Sequence, residues 1–162
     1  MIKFIKIATI VYFALLIQVT ILPAYIADPF KPNLLIVVIA YLGLRDGGWP
    51  GALMAFFLGL TEDCVSGLYL GLSGFTFLSI HLLIRRIAAR LYADSLYIIV
   101  FVVFFATIFN GLAHMILLFI FSAAEGIYAT IIAGLVPQAL VNALAASLLF
   151  SVPSFKAREE AR

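Results

Sequence analysis

The sequence predicts an all-α integral membrane protein of six transmembrane helices, with five as the fallback. Three observations carry that reading. The chain is 65% hydrophobic and only 11% charged, whereas charged residues make up about a quarter of a soluble domain. Its mean hydropathy is +1.21, which leaves too little polar surface to cover a soluble core. The charges gather between long apolar runs, with one adjacent acidic pair, Glu62-Asp63, inside the run 51–84. A spanning helix takes about 20 residues. Five or six of them fill the 162 residues as a single transmembrane domain, 1–162.

Cutting at turn-rich points gives spans near 4–22, 33–44, 51–66, 72–84, 96–122 and 127–152. The first follows Lys3 and Lys6. A cleaved signal peptide is its rival, but the apolar stretch exceeds the usual core of about 7–15 residues and no A-x-A site follows. An uncleaved first span is expected. The connectors PAYIADPFKP, RDGGWP, GLYLG, RRIAARLYAD and AAEG each bring Pro, Gly or charge to stop a helix. Spans two to four are short. They must extend into their connectors or leave a thinned or partly re-entrant structure.

Charge orients the chain. With six spans and the N-terminus inside, Lys3, Lys6, Arg45, Arg85, Arg86, Arg90, Lys156, Arg158 and Arg162 are cytoplasmic and only Lys31 is outside. Dropping a span moves the arginine triplet or the basic tail outward. Both termini are therefore expected in the cytoplasm. The connector from Arg85 to Asp94 is either a topological anchor or a short helix lying among lipid headgroups.

The third span repeats small or acidic residues every fourth place, at Gly51, Ala55, Gly59, Asp63 and Gly67. Such residues share one helix face and admit another backbone closely. Asp63 lies about 18 Å past Gly51, deep in a hydrocarbon core about 30 Å thick. A carboxyl group there needs a cation, water or converging donors. Glu62-Asp63 is thus read three ways: an ion or proton site, a structural cap, or a contact for a partner helix. The fifth span carries Thr107, Asn110, Gly111 and His114 as one stripe, and the sixth carries Gly134, Gln138, Asn142 and Ala146 beside Pro137. With Gln18 they form a polar seam, which glues helices more often than it binds a ligand.

Other chemistry is thinly represented. His81 and His114 lie on different spans and lack the spacing of metal ligands, so neither metal nor cofactor is expected. Cys64 stands alone. There is no G-x-S-x-G elbow, Walker loop or dinucleotide fingerprint. Basic residues are dispersed, which argues against nucleic-acid binding. Trp49 and several tyrosines mark span ends, as interfacial belts do.

One combination of residues is more specific. Pro32-Asn33-Leu34-Leu35, then Tyr41-Leu42-Gly43-Leu44-Arg45, the block from Gly59 to Leu72 with its D-x-x-S-G-x-x-x-G spacing, and Pro137-Gln138-Ala139-Leu140-Val141-Asn142 together resemble the bacterial rod shape-determining family MreD. The resemblance covers nearly the whole chain. It implies a non-enzymatic inner-membrane subunit of the elongation machinery that supports lateral peptidoglycan synthesis. Its implied partner is MreC, a single-span protein with a periplasmic coiled coil. Through MreC it would connect to MreB, to the RodA polymerase and to a class B penicillin-binding protein. The implied fold is that of the six-helix substrate-binding subunits of energy-coupling-factor transporters. The family-like positions are Pro32, Asn33, Arg45, Gly59, Asp63, Gly67, Gly71 and Asn142, and Gly51, Ala55 and Glu62 join them as partner-contact candidates. A solute-binding subunit of a vitamin-type or other small-molecule transporter is the alternative.

Overall fold

The computed structural model describes Thr9, Phe13 and residues 15–25, 30–45, 48–66, 70–88, 95–121 and 127–151. The described residues are helical throughout, apart from short turns. A π-helical turn, Ile17–Ile21, runs into the short helix α1, Leu22–Tyr25. Then follow α2 (Leu34–Arg45), α3 (Trp49–Ser66), α4 (Leu72–Ala88), α5 (Leu96–Phe121) and α6 (Ile127–Ser151). Stretches of the last two, Leu96–Ile120 and Ile131–Ser151, are long and apolar enough to cross a membrane. Lys3, Lys6, Arg90, the basic tail and Gly67 lie outside the described residues.

The centre of the bundle is α2, which packs against α3, α4, α5 and α6. Its sequence, LLIVVIAYLGLR, is apolar on every side, as a helix enclosed by others requires. Leu35, Ile36, Ile39 and Ala40 are completely buried, and they meet Phe77 of α4, Val103 of α5 and Ala146 of α6 in one core. At 12 residues the helix is about 18 Å long, too short for a core about 30 Å thick. It takes in Arg45 of the following connector, and its N-terminus ends inside the bundle at the buried Asn33.

Two hairpins surround it. The first pairs α3 with α4, and the second pairs α5 with α6. Helix α3 starts two residues earlier than the periodicity predicts, because Pro50 is preset for a first turn and the Gly48 carbonyl accepts bonds from Gly51 and Ala52. Helix α4 runs on to Ala88, so Arg85 and Arg86 form its last turn. Pro137 sits within α6 without ending it.

Helices α2 and α6 run in the same direction. Asn33 meets Asn142 at one end, and Tyr41 stacks on Phe150 at the other with ring centroids 5.3 Å apart. Arg45 covers the same tyrosine ring, its Cζ 5.3 Å from the centroid.

Candidate functional site: a polar layer at buried helix ends

A helix that ends inside a membrane bundle exposes N–H groups that water cannot reach, and each unmet group costs several kcal/mol. The N-terminus of α2 meets this problem with three side chains. Asn33 is its cap: the Oδ1 atom accepts from Leu35 N at 3.1 Å and Ile36 N at 3.3 Å. Gln18 Oε1 accepts from Leu34 N at 3.1 Å. Asn142 Oδ1 accepts from Asn33 N at 2.7 Å. Pro32, half-buried just before the cap, adds no further donor.

These bonds fix the direction of the rest. With its oxygen engaged, Asn33 turns its Nδ2 to donate to Glu62 Oε1 at 2.7 Å. Asn142 likewise donates through Nδ2 to Thr107 Oγ1 at 3.0 Å, and that hydroxyl donates to the Val103 carbonyl at 2.9 Å. One directional chain therefore joins α3, α2, α6 and α5.

Asp63 does the same for α4. Its Oδ2 accepts from Gly71 N at 2.8 Å and Gly74 N at 3.3 Å, and its Oδ1 accepts from Ser73 N at 2.9 Å. Gly71 has a φ of +96°, the only positive value among the described residues. That conformation strains any residue with a Cβ, and it brings the Gly71 N–H onto the carboxyl group. Gly59, one turn before Asp63, lets α3 approach α4 closely. A Cβ built there would lie 2.5 Å from the Gly74 Cα and N.

His114 joins this second cluster from α5. Its Nδ1 lies 3.1 Å from the Asn110 carbonyl and therefore carries the proton, which leaves Nε2 to accept from the Ser73 hydroxyl at 3.3 Å. The two clusters share a level. Counting from the opposite end of each helix, Asn33, Glu62 and Asp63 all lie about 18–21 Å along the bundle. Helix α5 continues beyond His114 for another turn and more, about 10 Å. The buried helix ends thus lie below the far ends of α5 and α6, with the polar residues of α5 spread over about 10 Å from Thr107 to His114.

The predicted seam residues separate on this geometry. Gln18, Thr107, Asn142 and His114 all bond within the layer, whereas Gln138 is half-buried and joins none of these bonds. Asn110 contributes its carbonyl, and its side-chain oxygen is buried without a partner. Arg45 lies at the opposite end on Tyr41. The small face of α3, read from the sequence as a partner-contact candidate, packs within this chain where its neighbours are described. Gly51, Ala55, Gly59 and Asp63 are all buried, and at Gly59 and Asp63 the face meets α4 of the same chain. At Gly59 the α4 backbone fills the space that a second helix would need. Ser73 is the layer residue that sequence reading missed. Its signal was local: a hydroxyl in the first turn of a helix, two residues past a glycine.

Asn142→Leu is expected to destabilise the protein by ~2 kcal/mol, because it strands the Asn33 N–H and removes a partner of Thr107. Gln138→Leu, one turn away on the same helix, should leave stability nearly unchanged. Unfolding of both variants in detergent, followed by circular dichroism, checks the contrast.

No curated protein and no solved structure matches the chain. Residues 1–155 match the family described as rod shape-determining protein MreD. That match covers nearly the full length, and two helices have the length and apolarity of membrane spans. The chain belongs to the MreD family, as a membrane protein with a role in determining rod shape.

Proposed function

We propose that this protein is a non-catalytic scaffold of the rod complex. In this reading it is one domain of six spans in the bacterial inner membrane, with both termini cytoplasmic. It holds MreC through the lipid-facing sides of its helices, and through MreC it supports MreB, RodA and a class B penicillin-binding protein in lateral peptidoglycan synthesis. The parallel course of α2 and α6 supports the topology. If α3, α4, α5 and α6 each reverse direction, the second and sixth spans must run the same way. An arrangement like the substrate-binding subunits of energy-coupling-factor transporters is part of the same proposal.

The observation that carries the scaffold reading is the use to which the polar residues are put. Ser73 and His114 have the contact a nucleophile and base require. The N–H groups of Ser73 and Gly74, however, are the donors that would stabilise an oxyanion, and Asp63 occupies them. Ser73 is itself buried. Likewise Gln18, Asn33, Asn142 and Thr107 bond one another and the backbone, where a solute-binding subunit needs such groups turned toward its ligand.

The test is complementation. Expressed in a rod-shaped bacterium depleted of its own MreD, the chain should restore rods, and the MreC protein should co-purify with it in detergent. Rods without co-purification would refute direct MreC binding. A small molecule retained stoichiometrically would favour the transporter alternative. A reporter fused after Arg90 should read as cytoplasmic.

A further inference from the structure

The two adjacent carboxyl groups of α3 meet very different surroundings. Asp63 accepts backbone N–H bonds from Gly71, Ser73 and Gly74, shared over both of its oxygens. That donor set suits an ionised carboxylate. Glu62 accepts a single bond, from Asn33 Nδ2 to Oε1 at 2.7 Å. Its Oε2 is buried and has no partner. A bare oxygen on an ionised carboxylate is among the costliest arrangements in an apolar interior, and such a group takes up a proton instead.

The neighbours offer no other remedy. Asn110 Oδ1 is also buried without a partner, and it too is an acceptor. The nearby donors are engaged: Asn33 Nδ2 on Glu62, Asn142 Nδ2 on Thr107, and the Ser73 hydroxyl on His114. Two charged groups act on Glu62: Asp63 at the next position, and Lys31 two residues before the cap of α2. Asp63 opposes a second negative charge beside it. Lys31 favours one, but it bonds neither Glu62 oxygen. Helix α2 turns Asn33 toward Glu62 and carries Arg45 at its opposite end. On α4 the first titratable residue, His81, lies about 10 Å beyond Gly74. His114 of α5 reaches Asp63 only through Ser73, and it is neutral, with its proton on the Asn110 carbonyl.

We propose that Glu62 is a proton-binding site: in the folded protein it is a neutral carboxylic acid, and its proton keeps α3 against the cap of α2. Oε1 then accepts from Asn33 without a second charge beside Asp63. Release of the proton leaves an anion that must reach water, which draws α3 away from Asn33. The join between the two helices therefore responds to acidity. It concerns contacts within one chain and does not depend on the MreC reading.

The test uses the purified full-length protein in detergent. At neutral pH its infrared spectrum should show a protonated-carboxyl band that Glu62→Gln lacks. Glutamine keeps the shape and neutrality of the acid, so E62Q should fold. A folded state that binds one proton more than the unfolded state loses stability as pH rises. Relative to E62Q, the wild-type folding constant should fall roughly tenfold per pH unit above the ordinary carboxyl value of about 4.3, until the folded protein also releases the proton. Comparing the two proteins cancels His81 and His114, which both retain. K31Q should leave the carboxyl band in place. A band unchanged in E62Q, parallel pH curves, or an E62Q that fails to fold each overturns the proposal, because each denies residue 62 the proton. So does a K31Q that destabilises the wild type but not E62Q, which marks an ion pair. Sodium or potassium that stabilises the wild type but not E62Q marks a cation site and overturns it equally.

Discussion

Asp63→Ala lowers the stability of the protein by ~3 kcal/mol, because a single substitution removes three hydrogen bonds from the buried end of one helix. The N–H groups of Ser73 and Gly74 are buried and lose their acceptor. The first turn of α4 then frays, and it carries Ser73 away from His114. Asp63→Asn should be milder, since the amide oxygen still accepts while the amide nitrogen faces other donors. Chemical unfolding in detergent measures both variants. The cap reading requires the order wild type, then Asn, then Ala. If Asp63→Ala unfolds like the wild type yet loses the MreC protein on purification, Asp63 is a partner contact and the cap assignment is wrong.

This expectation also shows how much of the site was legible. Period and charge place Asp63 on the small face of its helix and deep in the bundle, and both features appear in the structure. What periodicity cannot supply is the address of the carboxyl group. It reaches the start of α4 because Gly71 adopts a left-handed conformation, a property of the turn rather than of either helix. The second segment shows a different limit. The sequence marks 33–44 as apolar and short, and α2 spans Leu34–Arg45. Its burial on all sides follows from contacts with four other helices, which no local pattern encodes. Glu62 illustrates the same point. Its neighbours along the chain say nothing of Asn33, 29 positions away in sequence, which donates to it.

The seam divides on similar grounds. Thr107, Asn110 and His114 share a face by spacing alone, and the structure spreads them over two turns, with Thr107 bonded to Asn142 and His114 to the Asn110 carbonyl. Asn142 and Gln138 also share a face of α6, yet only Asn142 meets the cap of α2. The difference lies in where α2 begins. A helix starting one turn further out would have needed Gln138 instead.

Gly59→Leu should abolish accumulation of folded protein, and even Gly59→Ala should cost ~2–3 kcal/mol, at the upper end of overpacking penalties. The reason is what the new carbon meets. At Gly59 it would collide with the Ser73 carbonyl and the Gly74 backbone, which have no rotamer to change. The α3–α4 pair must separate, and Asp63, one turn along, is drawn off the N–H groups it caps. The two residues therefore act as a unit. Adding Asp63→Ala to Gly59→Ala should lower stability far less than Asp63→Ala does alone, a coupling that a double-mutant cycle resolves. Gly111 provides the contrast on α5. A Cβ there meets only the Leu135 side chain, which can rotate away, so Gly111→Ala should cost ~1 kcal/mol at most. Equal effects at Gly59 and Gly111 would mean that α3 and α4 are not in backbone contact. Additive effects at Gly59 and Asp63 would mean that close approach and capping are separate features of the hairpin.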